Sequence, residues 1–124
     1  MAASTSVRPL IAAACLIALP LGACVAQHAN PSAGRASELA SVVSRAVACR
    51  AGAPRANTLD RFLAAEKARG ATAEQIASAR STYITVSEAE TVNQDIRPQA
   101  CGAEERAAVR EKMSRIRAGE FDAL

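Results

Sequence analysis

Three features of the chain predict an all-α fold, a small antiparallel bundle of three to four helices. Apolar side chains recur at helical spacing in separate stretches between residues 35 and 124. Residues that start and stop helices bracket those stretches. Strand-like alternation is missing, and the one β-branched cluster, Ile84-Thr85-Val86, lies inside a capped helical pattern.

The N-terminus comes first. Residues 1–8 form a short polar lead with one basic side chain, Arg8, ahead of an apolar run over 9–24. That run is too short, and at Pro20 too interrupted, to span a bilayer, which is the layout of a secretory signal. It closes on Leu21-Gly22-Ala23-Cys24. These four residues resemble the lipobox of bacterial lipoproteins: a branched apolar residue, two small residues and the cysteine that becomes modified. Small side chains at Gly22 and Ala23 let a peptidase grip an extended backbone, and only a thiol can be alkylated to carry the diacylglycerol thioether. The resemblance implies cleavage after Ala23, lipid on Cys24, and a protein anchored to the membrane rather than spanning it. Each buried acyl methylene contributes about 0.8 kcal/mol, so two or three chains hold essentially permanently. Val25, where an aspartate would favour the inner membrane, leans by the same resemblance toward the periplasmic face of the outer membrane. Cys15, behind Ala12-Ala13-Ala14, lacks the branched residue and would leave with the signal peptide.

The expected organisation is a signal peptide over 1–23, a flexible tether over 24–34 and a helical domain over 35–124. The tether is small, polar and broken by Pro31. It holds the only histidine, His28, read as a solvated side chain. A first helix is expected over 35–50, with Leu39, Val42, Val43, Ala46 and Val47 on its apolar side and Ser37 as its cap. A second runs over 59–69 from a cap at Thr58 or Asn57, with Asp60 in its first turn and Gly70 as its stop. Thr72-Ala73-Glu74-Gln75 has the form of a capping box and opens a third helix reaching about Gln94. The tight link at Gly70-Ala71 makes these two antiparallel neighbours. Ile76, Ala79, Tyr83 and Val86 form the apolar stripe of the third. A loop over 95–102 leads to a last helix over 103–118, with Glu104 and Glu105 in its first turn, Arg115 and Arg117 in its last, and Gly119 closing it. Val109, Met113 and Ile116 form its core stripe, while Phe121 and Leu124 can fold back as a latch.

Alanine dominates the hydrophobic half of the composition, and the aromatic residues are two phenylalanines and one tyrosine. Alanine favours helix but buries little area, so a domain of this size calls for a staple. After the implied processing two cysteines remain, Cys49 and Cys101, and an isolated pair in an oxidising compartment reads as a disulfide. A redox couple would have C-x-x-C spacing and a metal site more ligands. No metal or other cofactor is expected.

The formal net charge is +3, and loss of Arg8 would bring it closer to neutrality. That argues against a nucleic-acid binder. Two surfaces are candidates for function. Glu66, Arg80, Tyr83, Glu90 and Gln94 project toward the inward side of the hairpin, with Glu66 about one turn from Arg80, and could hold a ligand or peptide. The plainer reading, and the favoured one, is solvated helix edges or a Glu66–Arg80 ion pair worth little at the surface. Arg106, Arg110 and Arg117 form a basic row able to lean on anionic head groups, or a solvated face whose arginine stems cover apolar neighbours. Without a histidine in the domain, Ser-His and Cys-His chemistry is excluded there, and no phosphate loop, dinucleotide fingerprint or calcium loop is present. The expectation is a lipid-anchored envelope protein with a structural or interactive helical domain, an envelope partner and no catalysis. The alternative is a stress-responsive holdase, since the cysteine placement ahead of a charged amphipathic helix is similar in outline to small acid-activated periplasmic chaperones.

Overall fold

A computed structural model describes residues 30–124. Among them it holds four helices and no strand: α1 (Pro31–Ala48), α2 (Thr58–Ala68), α3 (Ala73–Ile96) and α4 (Ala103–Ala118). The signal segment, Cys24 with its lipobox, and His28 lie outside the described residues.

α1 begins before the expected boundary. Asn30 is its cap, accepting the Ala33 amide at 3.2 Å. Pro31 fills the first helical position, where its fixed φ and missing N–H suit the start of a helix. Residues 31–34, read from sequence as tether, are therefore helix, and Ser37 lies in its interior. Ala36, Leu39, Ala40, Val43 and Ala46 are buried along one side. On α2, Asn57 occupies the cap position without a side-chain bond, and Phe62, Leu63 and Glu66 face inward. The capping box of α3 is formed, with Gln75 N donating to Thr72 Oγ1 at 3.2 Å and Thr72 N donating to Gln75 Oε1 at 2.9 Å. α4 keeps its expected bounds and ends at Gly119, whose φ of 87° is left-handed. A side chain there would also run into the Arg61 guanidinium. That guanidinium caps α4 from outside, donating to Arg117 O at 3.0 Å and Ala118 O at 3.2 Å.

Helices adjacent in sequence run in opposite directions. Asp60 at the start of α2 pairs with Arg80 of α3. Arg45 and Glu38 of α1 pair with Glu105 and Lys112 of α4, in reversed order along the two helices. α1 and α3 are consequently parallel: their starts share a cleft at Ser32 and Gln75, and their ends share a groove at Ala48 and Gln94. Phe62, Leu39 and Met113 are the largest fully buried side chains. The C-terminal latch is closed, with the Phe121 ring edge-on to Phe62 at 5.6 Å between centroids. Leu124 packs against the same core.

Cys49 and Cys101 are joined, with Cα atoms 5.5 Å apart, tying the end of α1 to the loop before α4. The bridge closes a loop of 52 residues, for which chain entropy gives about 4 kcal/mol of stabilisation. Replacing both cysteines by serine should lower the urea midpoint by a corresponding amount, and reductant should reproduce the loss in the native chain; equal midpoints with and without reductant would contradict the role of a staple.

Candidate functional site

Glu66 organises the end of the molecule where α1 begins. It projects from the inward face of α2, as helical spacing from Phe62 dictates, and only 3% of it is exposed. Ser32 Oγ donates to its Oε2 at 2.8 Å, Arg35 Nε to its Oε1 at 2.9 Å, and Arg69 lies 3.8 Å away. Arg35 also donates to Phe121 O at 2.6 Å and Leu124 O at 3.4 Å, while Arg69 pairs with Asp122. A cleft of about 340 Å³ between Pro31, Gly70 and Gln75 opens beside this cluster. Both oxygens accept from α1 and the carboxylate is almost fully buried, so the arrangement holds α1, α2 and the tail together.

The polar cluster expected from sequence does not assemble. Glu66 turns toward Ser32 and Arg35 of α1, because the helix start reaches back to Pro31 and supplies the donors. Arg80 is exposed and donates to Asp60 at 3.0 Å. Glu90 accepts from Ser41 at 3.4 Å. Tyr83 and Gln94 instead line a separate apolar groove of about 420 Å³ with Val43, Val47, Ser87 and Thr91. Partial burial raises the Tyr83 phenol above its ordinary value, partly offset by the nearby Ser87 hydroxyl. The two groups do not meet hydrogen-bond geometry, so Ser87 Oγ is buried without a partner.

The basic row is divided among separate tasks. Arg106 Nε donates to Cys49 O at 3.1 Å, and Arg117 Nη1 to Ala53 O at 3.3 Å, so both tie α4 to the segment that follows α1. Arg110 is exposed. Beside the disulfide, Arg45 makes a bidentate pair with Glu105, at 2.5 and 2.9 Å. This hydrogen bonding holds the Glu105 carboxyl below the usual glutamate range and raises Arg45. The sulfurs of Cys49 and Cys101 lie within 4.8 Å of the Glu105 carboxylate, but disulfide sulfurs carry no negative charge with which to hold a cation.

Ser32, Arg35, Arg69 and Arg61 were not singled out by sequence reasoning. Asn30-Pro31-Ser32 carried the signal for the first two, since a capping residue followed by proline marks a helix start. No protein-family model matches this chain, and no curated protein or solved structure matches it either. No helix among the described residues is long and apolar enough to cross a membrane.

Glu66→Ala should cost about 3–5 kcal/mol, because it leaves Arg35 and Ser32 without their acceptor in a buried site. Urea denaturation measures this, and a loss under about 1 kcal/mol would place the cluster among ordinary surface pairs. Two titrations test the remaining shifts. Because Glu105 is depressed in the folded state, its contribution is present above the unfolded value of about 4.3 and is lost as pH falls through the folded value. Glu105→Gln should therefore flatten the acid limb of the stability profile. Tyr83 is raised, so its contribution is complete below about pH 10 and is lost as pH rises toward the folded value. As the only tyrosine in the chain, it should show an ultraviolet titration midpoint above that of free tyrosine.

Proposed function

We propose that the chain is a lipid-anchored bacterial envelope protein whose helical domain acts as a structural or interaction module without catalysis. The sequence Leu21-Gly22-Ala23-Cys24 at the close of the apolar run carries this reading. Two further features support it. The closed Cys49–Cys101 bridge suits the oxidising compartment to which such a signal delivers a protein. Glu66, Arg35, Arg45, Glu105, Arg61 and Arg106 are engaged in holding helices and tail together, which suits a structural module. By the same resemblance, Val25 favours the periplasmic face of the outer membrane over the inner membrane.

Cys24→Ala should move the protein from the membrane fraction to the soluble periplasm, and mass spectrometry should find the acylated N-terminus in the wild type alone. Membrane retention of the variant with no acyl mass on the wild type would overturn the anchor.

A further inference from the structure

Three helix ends in this chain close in the same way. The backbone turns left-handed at Arg50 (φ 52°), Gly70 (φ 94°) and Gly119 (φ 87°). The next amide then reaches back to a helix carbonyl: Ala51 N to Ala46 O, Ala71 N to Glu66 O and Glu120 N to Arg115 O. Glycine takes that turn without a Cβ clash, and it stands at two of the three ends. Arginine at the third carries a backbone penalty. Its side chain is exposed and enters no ion pair among the described residues. Strain carried by a side chain that the fold does not use points to work done outside the fold.

Arg50 belongs to a basic face. Arg106, Arg110 and Arg117 fall within about 40° of one another around α4. The segment after α1 runs along them, with Cys49 O bonded to Arg106 and Ala53 O to Arg117, and Gly52 lies against Met113 between the two. That segment adds Arg50 and Arg55, both exposed. Residues 50–57 include no acid, and none of the ion pairs among the described residues uses these five arginines. Nearby carboxylates are taken up elsewhere: Glu105 by Arg45, Glu111 by Arg115 and Asp60 by Arg80. Glu104 falls about 160° around α4 from Arg106.

The chemistry of the face selects its partner. All five cations are arginines, whose planar fork donates two parallel N–H bonds to a phosphate. Arg106 and Arg117 spend only part of their five donors on the loop carbonyls. Between Arg50 and Arg55 stand Ala51, Gly52, Ala53 and Pro54, all short, so the guanidinium groups rise from a low surface and suit a plane of phosphates. Position agrees. Glu38 of α1 pairs with Lys112, and Arg35 holds Phe121 O, so Arg117 and Asn30 lie toward the same end of the domain. From Asn30 back to Cys24 about six residues span at most about 20 Å. We propose that this face rests on the anionic phospholipid head groups of the membrane that Cys24 enters, with the exposed guanidinium groups on lipid phosphates. This orientation rests on the anchored reading, because the lipid on Cys24 is what brings the face to a membrane.

Vesicle co-sedimentation of the full-length Cys24→Ala chain, which carries no acyl group, tests the face by itself. Phosphatidylcholine vesicles register any binding by the apolar run over 9–24. Vesicles of equal parts phosphatidylcholine and phosphatidylglycerol should bind about tenfold or more tightly, and raised salt should abolish the difference. R50N/R55Q/R110Q should remove most of that preference with dichroism intact, since asparagine suits the left-handed position. K67Q/R80Q/R115Q removes as many charges from other sides of the domain and should retain it. No preference in the unsubstituted chain overturns the proposal, as does a preference that R50N/R55Q/R110Q leaves in place. Equal losses in the two variants overturn it too, because binding then follows net charge. Tighter binding to inorganic polyphosphate at equal phosphate concentration would make the partner a soluble polyanion and overturn the membrane assignment. The anchor fails separately, through a wild type without acyl mass, and that result leaves the vesicle preference as it is.

Discussion

A single buried carboxylate sets the register of the bundle. Apolar contacts are non-directional, and where α1 and α3 meet the core through Ala36, Ala40, Ala46 and Ala79 few shapes oppose a helix that slides or rotates by one position. Glu66 supplies the direction. Its two oxygens require donors at fixed positions, because an unpaired buried charge costs several kcal/mol. Ser32 and Arg35 meet that need only when the first turn of α1 lies over the last turn of α2. Arg35 then passes the constraint on, since the same guanidinium holds the carbonyls of Phe121 and Leu124. Three segments far apart in sequence are thereby positioned around one side chain.

The disulfide does the corresponding work at the other end. α1 has 18 residues, so Ser32 and Cys49 are separated by about 26 Å along its axis. One end is held by charge and the other by a covalent bond, with the Arg45–Glu105 pair and Arg106 reinforcing the covalent end. Between them, small side chains let α1 and α3 lie close, so dispersion contacts offset part of what each alanine fails to bury. α3 depends heavily on this arrangement. Among its residues only Ala79 is fully buried, and an exposed helix with apolar residues on more than one side is incomplete by itself.

Much of the fold could be read in advance, and the reasons differ by element. The capping box at Thr72, the stop at Gly119 and the macrodipole charges of α4 are local signals, and they mark the ends of α3 and α4 without reference to the rest of the chain. The latch was legible because Phe121 has few aromatic alternatives for a partner. The sequence places Glu66 on an apolar face about one turn from Arg80, whereas its donors are Ser32 and Arg35. The difference follows from one boundary: a domain that starts at residue 35 leaves Ser32 out, and the hairpin then offers the nearest cation. The groove was harder to see, because it arises from the difference in length between α2 and α3 together with the parallel course of α1, neither of which is a property of any single stretch.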